Sequence, residues 1–175
     1  MMNLIYAMPL WLVGMVMVGL VIGWGRLAAR WRMEGSVRRW KAVNAALLCA
    51  GLLLLGYHTV FSRTVGDREV VLKPLAFLAA AQEQPELYRS MVMNVFLFFP
   101  LGLTLSQLWP DGLPTVGNVL LTLLCAGAVS AGIEYCQYRF GLGRAEIDDI
   151  LCNTLGAGIG TIPLVLQGKQ KKNSG

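Results

Sequence analysis

Residues 116–135 read VGNVLLTLLCAGAVSAGIEY, twenty positions with one charged side chain, Glu134, next to the last. A helix of that length rises about 30 Å, the thickness of a bilayer's hydrocarbon core. Hydrocarbon offers no partner to backbone N–H and C=O groups, so the stretch must satisfy them internally, as a helix. Outward from it, four further runs have the same character: Leu4 to Gly25, Ala42 to Phe61, Met91 to Leu108 and Ile150 to Gln167. The fold class predicted is therefore all-α, a polytopic integral membrane bundle of about five transmembrane helices. Composition agrees, since charged residues make up 14% of the 175 positions and hydrophobic ones 55%, where a soluble domain carries about a quarter charged. Mean hydropathy is +0.57. Five crossings leave little chain for a separate soluble module, which excludes a large enzyme with its own aqueous core.

A net charge of +5 in a soluble chain would raise the question of nucleic acid. Here the basic residues sit at the ends of apolar runs, so they report orientation, and no nucleic acid is expected. Arg26, Arg30, Arg32, Arg38, Arg39 and Lys41 lie between the first two runs, and Lys169, Lys171 and Lys172 follow the last. Both segments are expected to be cytoplasmic, which puts the N-terminus outside. Arg63, Arg68, Lys73, Arg89, Arg139 and Arg144 then fall outside, six against nine of the fifteen basic residues. The first run lacks a basic n-region and is longer than the apolar part of a signal peptide, so it is expected to be retained. The organisation predicted is two N-terminal helices with a basic loop over 1–65, a second transmembrane unit over 66–168 and a basic, frayed tail over 169–175.

The connection Trp109-Pro-Asp-Gly-Leu-Pro-Thr115 is short and rich in turn formers, so it predicts a tight hairpin of the third and fourth helices. Pro74 to Gln84 is Ala-rich and opens with proline, which predicts a short interfacial helix. Trp11, Trp24, Trp31, Trp40 and Trp109 lie, apart from the first, towards helix ends, where interface anchors belong.

This topology gathers polar residues at one membrane level. Asn94 falls about one turn into the outer end of the third helix. Glu134 closes the fourth, with Gln137 and Tyr138 at i+3 and i+4. Asp148, Asp149 and Asn153 open the fifth, and His58 sits near the outer end of the second. An ionisable group in a spanning segment costs roughly 2.5–3.5 kcal/mol at mid-membrane and less near the interface, so these groups should face partners or a wet cavity. Four of the ten acidic residues, Glu134, Glu146, Asp148 and Asp149, fall in this one short region.

Asn94-Val-Phe-Leu-Phe-Phe-Pro-Leu-Gly102, Glu134-Tyr-Cys-Gln137, Arg144, Asp148-Asp149-Ile150 and Asn153-Thr-Leu-Gly156 follow one another in an order and spacing that resemble the VanZ-like family of bacterial membrane proteins. The resemblance extends over about Val70 to Gly160, with Asp149 the firmer match of the two aspartates. It implies a place in the bacterial cytoplasmic membrane and a role at its outer face. The family's named member confers low-level resistance to teicoplanin, a lipoglycopeptide that binds cell-wall precursors.

Three functional readings are open. In the first, Asn94, Glu134, Gln137, Arg144, Asp148, Asp149 and Asn153, with His58 and Tyr138 as accessories, form an outward polar pocket for an envelope component. A lipid-linked wall precursor or a lipoglycopeptide is the partner considered, since Arg144 suits a phosphate or carboxylate. In the second, Glu134 and Asp149 act as acid and base on a lipid-linked precursor. In the third, the same groups are a polar clasp between helices. No cofactor is expected. One histidine and no Cys-x-x-Cys argue against zinc, a weak metal set of His58, Glu134 and Asp149 being the less favoured reading. Gly156 and Gly160, with Gly102 after Pro100, read as small faces for close helix packing, and Pro100 as a helix kink. Cys136 and Cys152, at outer ends of consecutive helices, are candidates for a disulfide.

Overall fold

The computed structural model describes residues 9–57, 59, 68–75 and 85–173. Its helices are α1 (Leu10–Met33), α2 (Val37–Gly56), α3 (Pro85–Leu105), α4 (Thr115–Phe140), α5 (Ile147–Gly160) and α6 (Ile162–Asn173). Two three-residue strands, β1 (Glu69–Val71) and β2 (Arg144–Glu146), pair in parallel. Five spans are long and apolar enough to cross a membrane: α1, α2, α3, α4 and the combined Ile147–Gln167 segment. The all-α bundle of five transmembrane helices is thus the architecture of the chain.

Helix ends depart from the sequence reading for local reasons. α1 continues past Gly25 to Met33, because Leu27, Ala28, Ala29 and the arginines are good helix formers and arginine stems can lie along apolar surface. The basic connection shrinks to Glu34–Ser36, turned by Gly35 at φ +68°. α3 starts at Pro85, whose missing N–H costs nothing in a first helical turn. α4 runs to Phe140 and stops at Gly141, left-handed at φ 64°, with the Leu142 N–H returning to the Gln137 carbonyl. The fifth span is divided at Thr161, two residues before Pro163, whose ring cannot sit in a continuous helix. Where a frayed tail was predicted, α6 carries helix on to Asn173, through lysines and glutamines that favour it. Of the Pro74 to Gln84 segment, residues 76–84 lie outside the described residues, as does His58.

The tightest packing joins α3 to α5 rather than α3 to its hairpin partner α4. Phe98 and Phe99 are fully buried on α3, and Leu55, Leu101, Ala126 and Ala157 complete the core around Phe98. Glycine decides how close α3 and α5 approach. A Cβ on Gly102 would land on the Ala157 carbonyl, one on Gly156 on the Val95 carbonyl, and one on Gly160 on the Phe99 carbonyl. Large apolar side chains such as Leu53, Val116 and Leu124 point outward, as they do in a bundle surrounded by lipid.

Candidate functional site

α4 carries its polar residues inward. Asn118, Thr122, Ala126, Ser130 and Glu134 are buried at a spacing of four, and Gln137 continues the stripe at three. Each four-residue step advances about 40° around the helix, so the three-residue step to Gln137 brings the stripe back towards the core. Tyr138 drifts out of it and is exposed. Almost every rung has a partner from another segment. Asn118 donates to the Ser106 carbonyl at 2.9 Å, Trp109 donates to Thr122 Oγ1 at 3.0 Å, and Asn153 donates to Ser130 Oγ at 2.9 Å. Gln137 donates to the Thr59 carbonyl at 3.0 Å.

At the α4 C-terminus these contacts converge with the start of α5. Glu134 and Asp148 are each 5% exposed. Glu134 Oε2 accepts the Glu146 N–H at 3.0 Å, and Asp148 Oδ1 accepts the Leu75 N–H at 2.6 Å. Leu75 has φ 59°, a left-handed conformation that costs a non-glycine residue about 1–2 kcal/mol, so the Asp148 contact holds a strained turn against the bundle. Asp148 and Asp149 occupy the first turn of α5, where the positive end of the helix dipole favours a carboxylate. Asp149 Oδ1 accepts from Asn94 Nδ2 at 2.7 Å, which ties α5 to α3.

Arg144 lies at the rim, in β2. Its Nε is 2.9 Å from Glu69 Oε2, its register partner in β1, and 3.4 Å from Glu146 Oε1. Its side chain is half exposed, so it faces solvent with carboxylate neighbours on its own sheet. Asn94, Glu134, Gln137, Asp148, Asp149 and Asn153 thus share one end of the α3, α4 and α5 core, with Arg144 beside them. The residues missing from the sequence reading are Ser130, Glu69 and the backbone of Thr59 and Leu75. Ser130 carried a signal, its place in the four-residue polar repeat of α4. The backbone groups carried none.

Pro100 stands within α3, and Thr104 Oγ1 donates to its carbonyl at 2.9 Å. All four cysteines are free thiols, so no bridge joins Cys136 to Cys152. Cys136 is two residues from inward-facing Glu134, about 200° round the helix, whereas Cys152 is buried in the core.

Residues 45–166 match the VanZ/LLP1 family. The chain belongs to that family. Asn94, Glu134, Gln137, Arg144, Asp148, Asp149 and Asn153 all fall within the matched segment, which reaches back into α2. The chain is also similar to Protein VanZ of Enterococcus faecium, 32% identical over 88 residues, which are 49% of this chain and 48% of that protein. The match thus spans about half the length of the curated relative. No solved structure matches. Family membership and the five spans together make the chain a multi-pass VanZ-like membrane protein.

Proposed function

We propose that this VanZ-like protein recognises a cell-envelope component at the polar end formed by Asn94, Glu134, Gln137, Arg144, Asp148, Asp149 and Asn153, and thereby lowers sensitivity to lipoglycopeptides such as teicoplanin. In this reading the chain sits in the bacterial cytoplasmic membrane with the polar end and the N-terminus outside and the C-terminus in the cytoplasm. The observation that carries it is the convergence of three carboxylates, from Glu134, Asp148 and Asp149, at the junction of α4 and α5. That is more charge than helix packing alone requires, and charge at a membrane boundary is retained where it does something. The basic cluster Arg26 to Lys41 at the other end of the bundle supports the orientation.

Expression in a susceptible Gram-positive host should raise the inhibitory concentration of teicoplanin more than that of vancomycin, and Asp149→Asn or Glu134→Gln should remove the gain at unchanged protein level. No change for either drug rejects the role. Reporter fusions at Arg144 and at the C-terminus test the orientation, and an inside Arg144 would overturn it.

A second reading has its own support. The Glu146 and Leu75 N–H groups end on Glu134 and Asp148, so these two carboxylates also serve as clasps for the segments flanking the core. If that is their whole role, Glu134→Gln and Asp148→Asn lower the amount of folded protein and leave activity per molecule intact.

A further inference from the structure

We propose a second ligand site at the opposite end of the bundle, where a cavity of about 430 Å³ beside the 109–115 connection takes a phosphate group. It lies about 24 Å along α4 from the polar end described above, the distance from Asn118 to Glu134 at 1.5 Å per residue. Its volume falls within the roughly 300–1,000 Å³ usual for small-molecule sites. Gln107, Gln167, Arg32, Asp111, Thr115 and Asn118 supply the polar part of its wall.

Gln107 decides the ligand's sign. It is 3% exposed, and its Oε1 accepts from Trp40 Nε1 at 3.2 Å. An indole N–H only donates, which fixes the amide with its oxygen towards Trp40 and leaves its nitrogen as a donor on the other side of the group. Gln107 Nε2 is buried with no hydrogen-bond partner among the described residues, and Gln167 Nε2 and Oε1 are in the same condition. A buried donor left unmade costs about 1–3 kcal/mol, so an acceptor that reached the Gln107 or Gln167 amide nitrogen would be stabilised, and Gln167 can turn its oxygen away from it.

The remaining wall calls for a negative one. α4 starts at this wall, 26 residues long, and its N-terminal turn has Pro114 at the cap position with no capping side chain. Its first N–H groups and the positive end of its dipole suit an oxyanion. Arg32 lines the cavity and forms no ion pair with a carboxylate among the described residues. Asp111 would repel an anion, but Lys41 lies 3.1 Å from its Oδ2 and offsets it. Arg38 and Arg39, in the first turn of α2, add two further positive charges to this basic end of the chain. An amide donor, a guanidinium and a helix N-terminus around one space match the three acceptor oxygens of a phosphate. That group is carried by phospholipids and by free phosphate alike, and basic pockets between helix ends are a known setting for the former.

The test uses the full chain purified in a non-ionic detergent and titrated separately with dihexanoyl phosphatidylglycerol, inorganic phosphate and uncharged dihexanoylglycerol, followed by thermal unfolding and by tryptophan fluorescence, since Trp109 borders the site. The phosphatidylglycerol should stabilise the protein and the glyceride should not. A response to inorganic phosphate as well assigns the site to phosphate itself, and a response to phosphatidylglycerol alone assigns it to a lipid headgroup. Arg32→Ala should weaken binding about tenfold, the equivalent of one charged hydrogen bond. Gln107→Glu keeps the acceptor for Trp40 and replaces the orphan donor by a carboxylate, so it should abolish binding. Arg38→Ala, which removes a neighbouring charge outside the cavity wall, should leave binding within about twofold. If Gln107→Glu does not fold, Arg32→Ala decides. No response to either phosphate probe, or an equal loss with Arg32→Ala and Arg38→Ala, overturns the site and leaves a water-filled cavity.

Discussion

Asn94 and Asp149, 55 positions apart in sequence, meet at 2.7 Å, and their contact fastens the middle of α3 to the first turn of α5. The acceptor is a carboxylate, and such bonds are about twice as strong as neutral ones. Interhelical hydrogen bonds in membrane proteins average about 0.6 kcal/mol and reach about 1.7, and this one belongs near the upper value. Asn94→Ala and Asp149→Ala are each expected to cost about 1–2 kcal/mol, with the double substitution costing clearly less than their sum. Thermal or denaturant unfolding of the four proteins in one detergent measures the coupling, and strict additivity would mean that the contact contributes nothing.

The glycines of the α3–α5 contact make a sharper contrast. Gly102→Ala and Gly156→Ala each drive a methyl group into a backbone carbonyl of the facing helix. Overpacking usually costs about 1–3 kcal/mol, and these should reach or exceed that range because backbone cannot turn aside as a side chain can. Gly19→Ala and Gly51→Ala meet nothing within 4 Å, so they should be neutral or stabilise by up to about 1 kcal/mol through helix propensity. Melting temperatures of the four variants provide the comparison.

These two contacts also show what was legible in the chain. The spans were, because twenty apolar residues in hydrocarbon have one solution. Gly156 and Gly160 were, because a four-residue spacing of glycine has one common use in membranes. Placing Asn94 and Asp149 at one level needed only helix length and direction. Their partners were a different matter. Arg144 reads in sequence as a cation available to a ligand, whereas β1 brings Glu69 beside it, and no periodicity announces a three-residue parallel pairing across 75 positions of chain. Glu134 and Asp148 bind backbone N–H groups, which every residue possesses and no sequence pattern marks. Tyr138 shared a nominal face with Glu134, but the drift of a four-residue stripe carried it out of the core.

Arg144 separates stability from function. Its pair with Glu69 joins side chains that are 53% and 57% exposed, and such pairs contribute about 0.2–1 kcal/mol before salt screening. Arg144→Ala should therefore change the melting temperature by no more than a few degrees and insert normally. A loss, at normal protein level, of the teicoplanin phenotype proposed above would then point to recognition by the guanidinium, and Arg144→Lys, lacking the planar fork, should recover only part of it. Full activity of Arg144→Ala would remove this residue from the site.

Ser130 and Asn153 allow the two roles of a buried polar residue to be told apart. Ser130 is fully buried, and its Oγ is the partner of Asn153 Nδ2, while Asn153 Oδ1 has none among the described residues. Ser130→Ala strips the amide of that bond and leaves a desolvated donor beside an already unpaired acceptor, which should cost about 1–2 kcal/mol. Adding Asn153→Leu replaces the amide by an apolar group of similar volume. The double variant should regain most of the lost stability, because removing both partners is cheaper than stranding one. Activity should follow the opposite course if the Asn153 amide meets a ligand: nearly intact in Ser130→Ala at equal protein level, lost in the double variant despite its restored melting temperature. Recovery of both together would make Asn153 a packing residue, with the binding role confined to the carboxylates at the helix ends.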